Sequence, residues 1–197
     1  MTLLTRGPSG IKGTAAALLA VVATSSWGAV VRSGEFSLSS PQIQANGSIA
    51  ARHVFNGFGC TGENISPALS WSGAPPQTQS FALLVHDSDA PTGGSGWWHW
   101  LVVDIPAGSS QLKAGAGTAD GKGLPAAARQ IRGDYGSPGW GGPCPPLGNA
   151  PHRYTFTLHA LKVKTLELPP DPSAALVGFV VNSQSLGKAS FSALYGR

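Results

Sequence analysis

Five side chains able to do chemistry gather in two short stretches of this chain. Val85 to Pro106 reads VHDSDAPTGGSGWWHWLVVDIP and carries Asp87, Asp89 and His99. Gly141 to Tyr154 reads GGPCPPLGNAPHRY and carries His152 and Tyr154. In both, the polar residues stand at the end of an apolar run beside a Pro- and Gly-rich loop, where a rigid β scaffold usually presents a binding site. Burying a carboxylate or an imidazole is costly unless it is paired. An Asp against a His lowers that cost, favours the imidazolium and fixes which ring nitrogen points outward. Such a pocket presents N–H donors to an anion, and phosphate or sulfate suits it. Gly142 and Pro143 belong to a loop whose backbone N–H groups can add donors, because Gly141 and Gly142 allow close approach. Tyr154 contributes a hydroxyl, and the spare Asp can meet an ammonium group on the same ligand. The Asp–His pairing predicts tighter phosphate binding at mildly acid pH.

Other chemistry fits these residues less well. A polar network that only ties loops together is the bland alternative; five polar side chains aligned at strand ends favour a ligand site over it. Asp87, Asp89, His99 and His152 are suitable oxygen and nitrogen ligands for a metal. No tight motif such as two His at i, i+4 accompanies them, and neither a metal nor a cofactor is expected. A nucleophilic hydrolase needs a Ser or Cys against a His and an oxyanion hole. Ser88, Ser95 and Cys144 are near in sequence, but no Gly-x-Ser-x-Gly elbow surrounds them. Prolines flank Cys144, with no helix N-terminus to activate it. No catalytic residue is assigned.

Strands must hold these groups. Ser80–Val85, Trp98–Ile105 and Tyr154–Val163 are strong strand candidates, with Gly34–Gln44, Ala68–Trp71 and Ala189–Leu194 completing the set. Leu112–Gln130 reads as a long Gly- and Ala-rich connection broken by Pro125, and Pro172–Phe179 as a short helix capped by Asp171 or Ser173. The expected class is mainly β, an antiparallel sandwich. Alternation puts Phe81, Leu83, Val85, Asp87 and Asp89 on one face, provided the extended geometry persists. It puts Trp97, His99, Leu101 and Val103 opposite Trp98, Trp100 and Val102, so that strand needs burial on both sides. His152, Tyr154, Phe156 and Leu158 share a face of the third. His86 and His159 fall out of line and outside the expected site.

The whole chain has 197 residues with Gly 27 and Pro 16, and only 11% of them are charged. That length suits one well-buried domain. Residues 1–30 differ in kind: Arg6 and Lys12 precede an apolar run from Ala15 to Ala23, followed by Ser25, Ser26, Gly28 and Ala29. This is the layout of a secretory signal peptide, with cleavage near 28–34 and a single domain over 35–197. Retention as an uncleaved anchor stays open. The formal charge is +4, with basic residues scattered rather than striped, so no nucleic-acid partner is expected. Cys60 and Cys144 permit one disulfide in an exported chain; two free thiols are the alternative.

The motifs carry a family resemblance. Asp87-Ser-Asp-Ala-Pro91, Gly96-Trp-Trp-His-Trp100 and Asp104-Ile-Pro106 closely resemble the first signature region of the phosphatidylethanolamine-binding protein family. Gly142-Pro-Cys-Pro-Pro146 with Pro151-His-Arg-Tyr154 resembles the second. Cys60-Thr-Gly-Glu-Asn64, Ser66-Pro67 and Leu69-Ser-Trp71 are similar to the bacterial, Raf-kinase-inhibitor-like branch, and Leu186-Gly-Lys188 and Tyr195-Gly-Arg197 fit it too. The resemblance covers the chain from about residue 35 onward. It implies a central antiparallel β fold with a few short flanking helices. It also implies an anion pocket for phosphate or phosphorylated head groups such as phosphorylethanolamine. Asp87, Asp89, His99, His152 and Tyr154 match pocket residues, with the Gly142–Pro146 loop as its wall. One departure is Ser88, where the family usually has Pro. Family members also include kinase and protease inhibitors, so inhibition through protein contact is the second expectation and phosphoester hydrolysis the third.

Overall fold

From Phe81 to Val85 five apolar residues run without a break, a run too short for an ordinary helix and calling for a strand covered on both faces. In the structure, a computed structural model describing residues 1–4, 7 and 34–197, this run lies in the middle strand of the main sheet. The expected leader over 1–30 lies outside the described residues, apart from residues 1–4 and 7.

The strands are β1 Ser37–Ser39, β2 Asn56–Gly57, β3 Cys60–Thr61, β4 Leu69–Ser72, β5 Ser80–Asp87, β6 Trp97–Pro106, β7 Gln111–Leu112, β8 Arg129–Ile131, β9 His152–Leu161 and β10 Ser185–Tyr195. One helix, α1 Ala174–Gln184, and one 3-10 turn, Ala51–His53, complete the described elements. Five strands form an antiparallel sheet in the order β10-β9-β5-β6-β8, three form a second in the order β1-β4-β7, and β2 and β3 make a hairpin. Phe81, Leu83, Val85, Trp100, Val102 and Phe156 on one face of the large sheet pack with Leu69, Trp71 and Leu112 of the small one. Ala82, Leu84, Leu101 and Val103 on the other face pack with Val177 and Val181 of α1. The fold is therefore mainly β, sheet on sheet with a helix on the outer face, as expected.

Several boundaries move. The first strand shrinks from Gly34–Gln44 to Ser37–Ser39. Ser173, not Asp171, caps the helix, its side chain accepting from the Leu176 N–H at 3.2 Å; Asp171 instead pairs with Arg132. The helix runs on to Gln184 and β10 begins at once, four residues before the expected last strand.

The larger correction concerns β6. Val85 faces Trp100 but His86 faces Trp98, so His99 is an extra, unpaired residue. Phe81 faces Ile105 while Leu83 faces Val102, which inserts a second extra residue near Asp104. A bulge reverses alternation beyond it. Trp100, Val102 and Ile105 accordingly enter the core between the sheets, Leu101 and Val103 enter the helix side, and Trp98 packs with them. Trp97, His99, Leu101 and Val103 do not share one face.

Asp104 holds the second bulge. Its φ of 59° lies in the left-handed region, which Asp and Asn tolerate better than most residues. Its buried carboxylate accepts from the Leu166 N–H at 2.8 Å and from Arg129 Nε at 2.6 Å. Asp104→Ala is expected to lower the unfolding free energy by about 2–3 kcal/mol, and Asp104→Asn by less, because it keeps the backbone and one acceptor. Urea denaturation checks this, and a loss below about 1 kcal/mol for the Ala variant would contradict it.

Candidate functional site

β5, β6 and β9 end at one level, with Asp87 paired to Trp97 on one side and to Tyr154 on the other. His152 begins β9 two residues before Tyr154. The strand ends thus gather Asp87, His152, Tyr154 and Trp97, and the first bulge turns His99 in beside them. All five line one cavity of about 290 Å³.

Asp87 is buried and fully engaged. Oδ1 accepts the Asp89 N–H at 2.9 Å, which closes the turn after β5. Oδ2 accepts from His152 Nδ1 at 2.7 Å. His152 Nε2 is thereby the accepting nitrogen, and Asn149 Nδ2 donates to it at 3.2 Å. Asp87 pairs with His152; no direct bond joins it to His99.

His99 is buried, with its ring 5.1 Å from that of Tyr154 and 5.6 Å from that of Tyr135. Its Nδ1 lies 2.6 Å from the Gly141 carbonyl, which can only accept, so Nδ1 carries the proton. Burial pushes the His99 pKa down to about 4, outweighing the Gly141 bond and the Asp87 charge that raise it. The expected imidazolium donor is thus a neutral imidazole between pH 5 and 8. Its Nε2 is a bare acceptor, buried and without a partner.

Tyr154 Oη and Trp97 Nε1 are likewise buried without partners. Burial, and then the Asp87 charge, raise the Tyr154 pKa, so its hydroxyl keeps its proton and can donate. Tyr135, in the Gly-rich loop that also holds Trp140, is not among the expected site residues. Its O–H donates to the Gly142 carbonyl at 2.7 Å, and the same two causes raise its pKa.

Of the expected Gly142–Pro146 wall, Cys144, Pro145 and Pro146 line the cavity, and the glycines of the loop serve differently from expectation. The Gly141 N–H goes to the His99 carbonyl at 3.0 Å and the Gly142 N–H to Asn64 Oδ1 at 2.8 Å. A Cβ on Gly141 would lie 2.1 Å from the Tyr135 ring, and one on Gly142 would lie 2.0 Å from the His53 carbonyl. Close packing, not anion donation, requires both glycines. Pro143 accepts the Phe55 N–H at 3.1 Å. Gly142, Pro143 and Asp89 do not line the cavity; Asp89 is exposed and accepts the Arg153 N–H at 2.8 Å. Ser88 is exposed too, and neither His86 nor His159 lines the cavity.

Pro145, Pro146, Pro91 and the exposed Phe58 form an apolar rim. Cys60 and Cys144 are joined, tying that rim to the β2–β3 hairpin and leaving no thiol for nucleophilic attack. Arg197, also unforeseen in this role, reinforces the tie: Nε donates to the Pro145 carbonyl at 2.6 Å and Nη1 to that of Gly59 at 2.9 Å. Among the described residues no Lys or Arg lines the cavity, and none form a cluster of three or more His, Cys, Asp or Glu able to hold a metal. A larger cavity of about 450 Å³ lies on the Gly141 side of His99. It lacks the Asp87–His152 pair, and Gly141 borders it but not the smaller cavity. The anchored Nδ1 faces Gly141, which borders that side.

Nitrogen-15 NMR should show His99 as the neutral Nδ1–H form from pH 5 to 8, with protonation only near pH 4. A His99 titration midpoint above pH 6 would overturn this assignment.

Comparison with known proteins agrees with this fold. The sequence profile described as phosphatidylethanolamine-binding protein matches residues 39–196. The Escherichia coli protein YbcL is 47% identical over 160 residues, covering 81% of this chain and 87% of YbcL. Its crystal structure, described as a new member of the mammalian PEBP family, superimposes with a TM-score of 0.80 over 83% of this chain and 99% of that one. E. coli YbhB is 43% identical, covering 80% of this chain and 98% of YbhB. A Mycobacterium tuberculosis protein named as a lipoprotein, LppC, is 37% identical over 67% of this chain and 60% of its own length. With its signature residues assembled around one pocket and its sequence matched from residue 39 to 196, this chain belongs to the phosphatidylethanolamine-binding protein family, in the bacterial branch that includes YbcL.

Proposed function

We propose that the pocket binds the phosphoryl group of a small ligand, phosphate or a phosphorylated head group, without a cofactor. One observation carries this reading: Trp97, His99 and Tyr154, which line one cavity, each hold a buried polar atom without a partner. Buried polar groups are seldom left unpaired, and where they converge on a cavity a polar ligand is the economical explanation. Tyr154 Oη and Trp97 Nε1 are donors suited to phosphoryl oxygens, while Phe58 and the prolines receive the organic substituent. The family's name supports the same class of ligand.

Hydrolysis through a protein nucleophile gains no support, because Cys144 is bridged and neither Ser88 nor Ser95 lines the cavity. Protein contact at the rim remains the second reading, favoured by the exposed Phe58 and Leu147. We also propose that the chain is exported and loses its leader. The basic and apolar start, the Cys60–Cys144 bond and the likeness to LppC support this.

Calorimetric titration at pH 6 should show saturable binding of phosphorylethanolamine. Tyr154→Phe should weaken it roughly 10-fold or more, since a hydrogen bond to a charged group is worth about 1.5–3 kcal/mol. No binding by the unaltered protein at millimolar ligand would sink the reading and turn the search to protein partners.

Intact-mass measurement of protein recovered from the periplasm or medium should place the N-terminus within residues 28–34. The mass should also fall two hydrogens below that of the reduced chain. A full-length or reduced product would argue against export with processing.

A further inference from the structure

We propose that the outer face of α1 seats this protein on an anionic lipid bilayer, with Leu176, Phe179 and Leu186 entering the interface and Lys162, Lys164 and Lys188 meeting the lipid phosphates. None of these residues lines the pocket, and the proposal stands apart from the ligand reading above.

α1 reads AALVGFVVNSQ and carries no charge. From Ala174 to Val181 it holds only apolar residues and one glycine. A surface helix ordinarily turns a polar face to water. Here Ala174, Val177, Gly178 and Val181 are buried, which accounts for one side of the helix. Leu176 and Phe179 stand three apart on the other, and Phe179 is 73% exposed. Leu186, in the bulge that begins β10, follows the helix end directly and is exposed as well. Apart from the chain start and the pocket rim, these three are the exposed large apolar side chains among the described residues. Exposed apolar side chains grouped in this way mark a contact surface.

The surrounding charges choose the occupant. The Lys162 N–H donates to the Gln184 carbonyl at 3.0 Å, which sets Lys162 at the last turn of α1. Val163 packs in the helix-side cluster, and Lys164 follows it. Lys188 pairs with His159, whose Nδ1 lies 3.2 Å from the hydroxyl of Ser185, the residue that caps the helix. Burial, and then the Lys188 charge, lower the His159 pKa to about 4. All three lysines are exposed, and none forms a salt bridge among the described residues. Between Lys162 and Lys188 the acids are Glu167 and Asp171, and Asp171 is paired with Arg132. The face is therefore apolar with a basic end.

A protein partner gains most of its affinity from side chains seated in pockets. No residue of α1 lines the cavities of about 290, 450 and 470 Å³. A bilayer surface needs only apolar side chains beside free lysines. The helix, rising about 16 Å, is far shorter than the roughly 30 Å apolar core of a bilayer, so it lies on the membrane and does not cross it.

The test is co-sedimentation of the exported protein, disulfide intact, with phosphatidylglycerol–phosphatidylcholine vesicles free of phosphatidylethanolamine. These should bind at least about tenfold more tightly than phosphatidylcholine alone, and about 0.5 M salt should release most of the protein. Phe179→Ser should weaken binding about tenfold or more, because a buried Phe side chain is lost from the interface. Lys164→Ala should weaken it about fivefold. Phe179→Ser should leave phosphorylethanolamine binding in solution unchanged, and excess phosphorylethanolamine should not release protein from the vesicles. Both substituted side chains are exposed, so neither change opens a cavity, and each is an independent arm. A retained leader would be common to every variant, so the differences between variants decide. Equal binding to neutral vesicles, or binding that both variants leave intact, overturns the proposal without touching the pocket reading. Release by phosphorylethanolamine with Phe179→Ser unaffected moves the contact to the pocket and overturns it too. A solution dimer that Phe179→Ser disperses, with no vesicle binding, overturns it by giving the face to a second copy.

Discussion

The site depends on burying one carboxylate where water is largely excluded. Asp87 stands between Trp97 and Tyr154 at the ends of the central strands, and the desolvation of a charge there must be offset locally. The offset comes from the Asp89 N–H and His152 Nδ1–H, and each has a structural consequence. The first turns the chain sharply after β5, sending Asp89 outward. The second fixes the orientation and accepting nitrogen of His152. The same negative charge acts through space on Tyr135 and Tyr154, helping to hold both hydroxyls protonated. A carboxylate that organises its neighbours in this way makes a pocket sparing in positive charge, unlike the lysine- and arginine-lined clefts that bind highly charged anions.

Much of this was legible in the sequence. Periodicity located the three long strands, and β5, β6 and β9 do deliver Asp87, His99, His152 and Tyr154 to one place. Alternation failed in β6 because pairing with β5 is interrupted twice, at His99 and near Asp104. Nothing in WWHWLVVDIP announces a bulge, since both faces are apolar and either register would bury tryptophan. His99 nevertheless reaches the pocket, through the interruption rather than through parity. Its protonation was misjudged for a related reason: the partner of Asp87 had to be chosen among two histidines, and only three-dimensional placement assigns it to His152. Tyr135, Asn64 and Arg197 were invisible as site residues because they arrive from loops and the chain end, where no period operates. Two aromatics, Tyr135 and Trp140, set among glycines at 133–141 were the one available sign.

Depth also divides the pocket chemically. The floor is polar and largely committed to internal hydrogen bonds, and the rim is proline and phenylalanine. Prolines at 91, 145 and 146 give the rim a fixed backbone with little conformational entropy to lose when a ligand arrives. The floor is similarly set in advance, because Asn64, Tyr135 and the two close-packed glycines leave the 141–146 segment few alternatives.

The bond between Cys60 and Cys144 closes a covalent ring whose circumference includes β4 through β8 and both central strands β5 and β6. The long connection from Leu112 to Arg129, exposed at residues 118–120, 122–123 and 126–127, lies wholly inside it. A single cut there opens the ring without separating its halves, so the two pieces stay covalently attached and the strands that carry the pocket keep their partners. In an environment rich in proteases, a nicked molecule of this kind can persist as a binding-competent species that dissociates only when reduced.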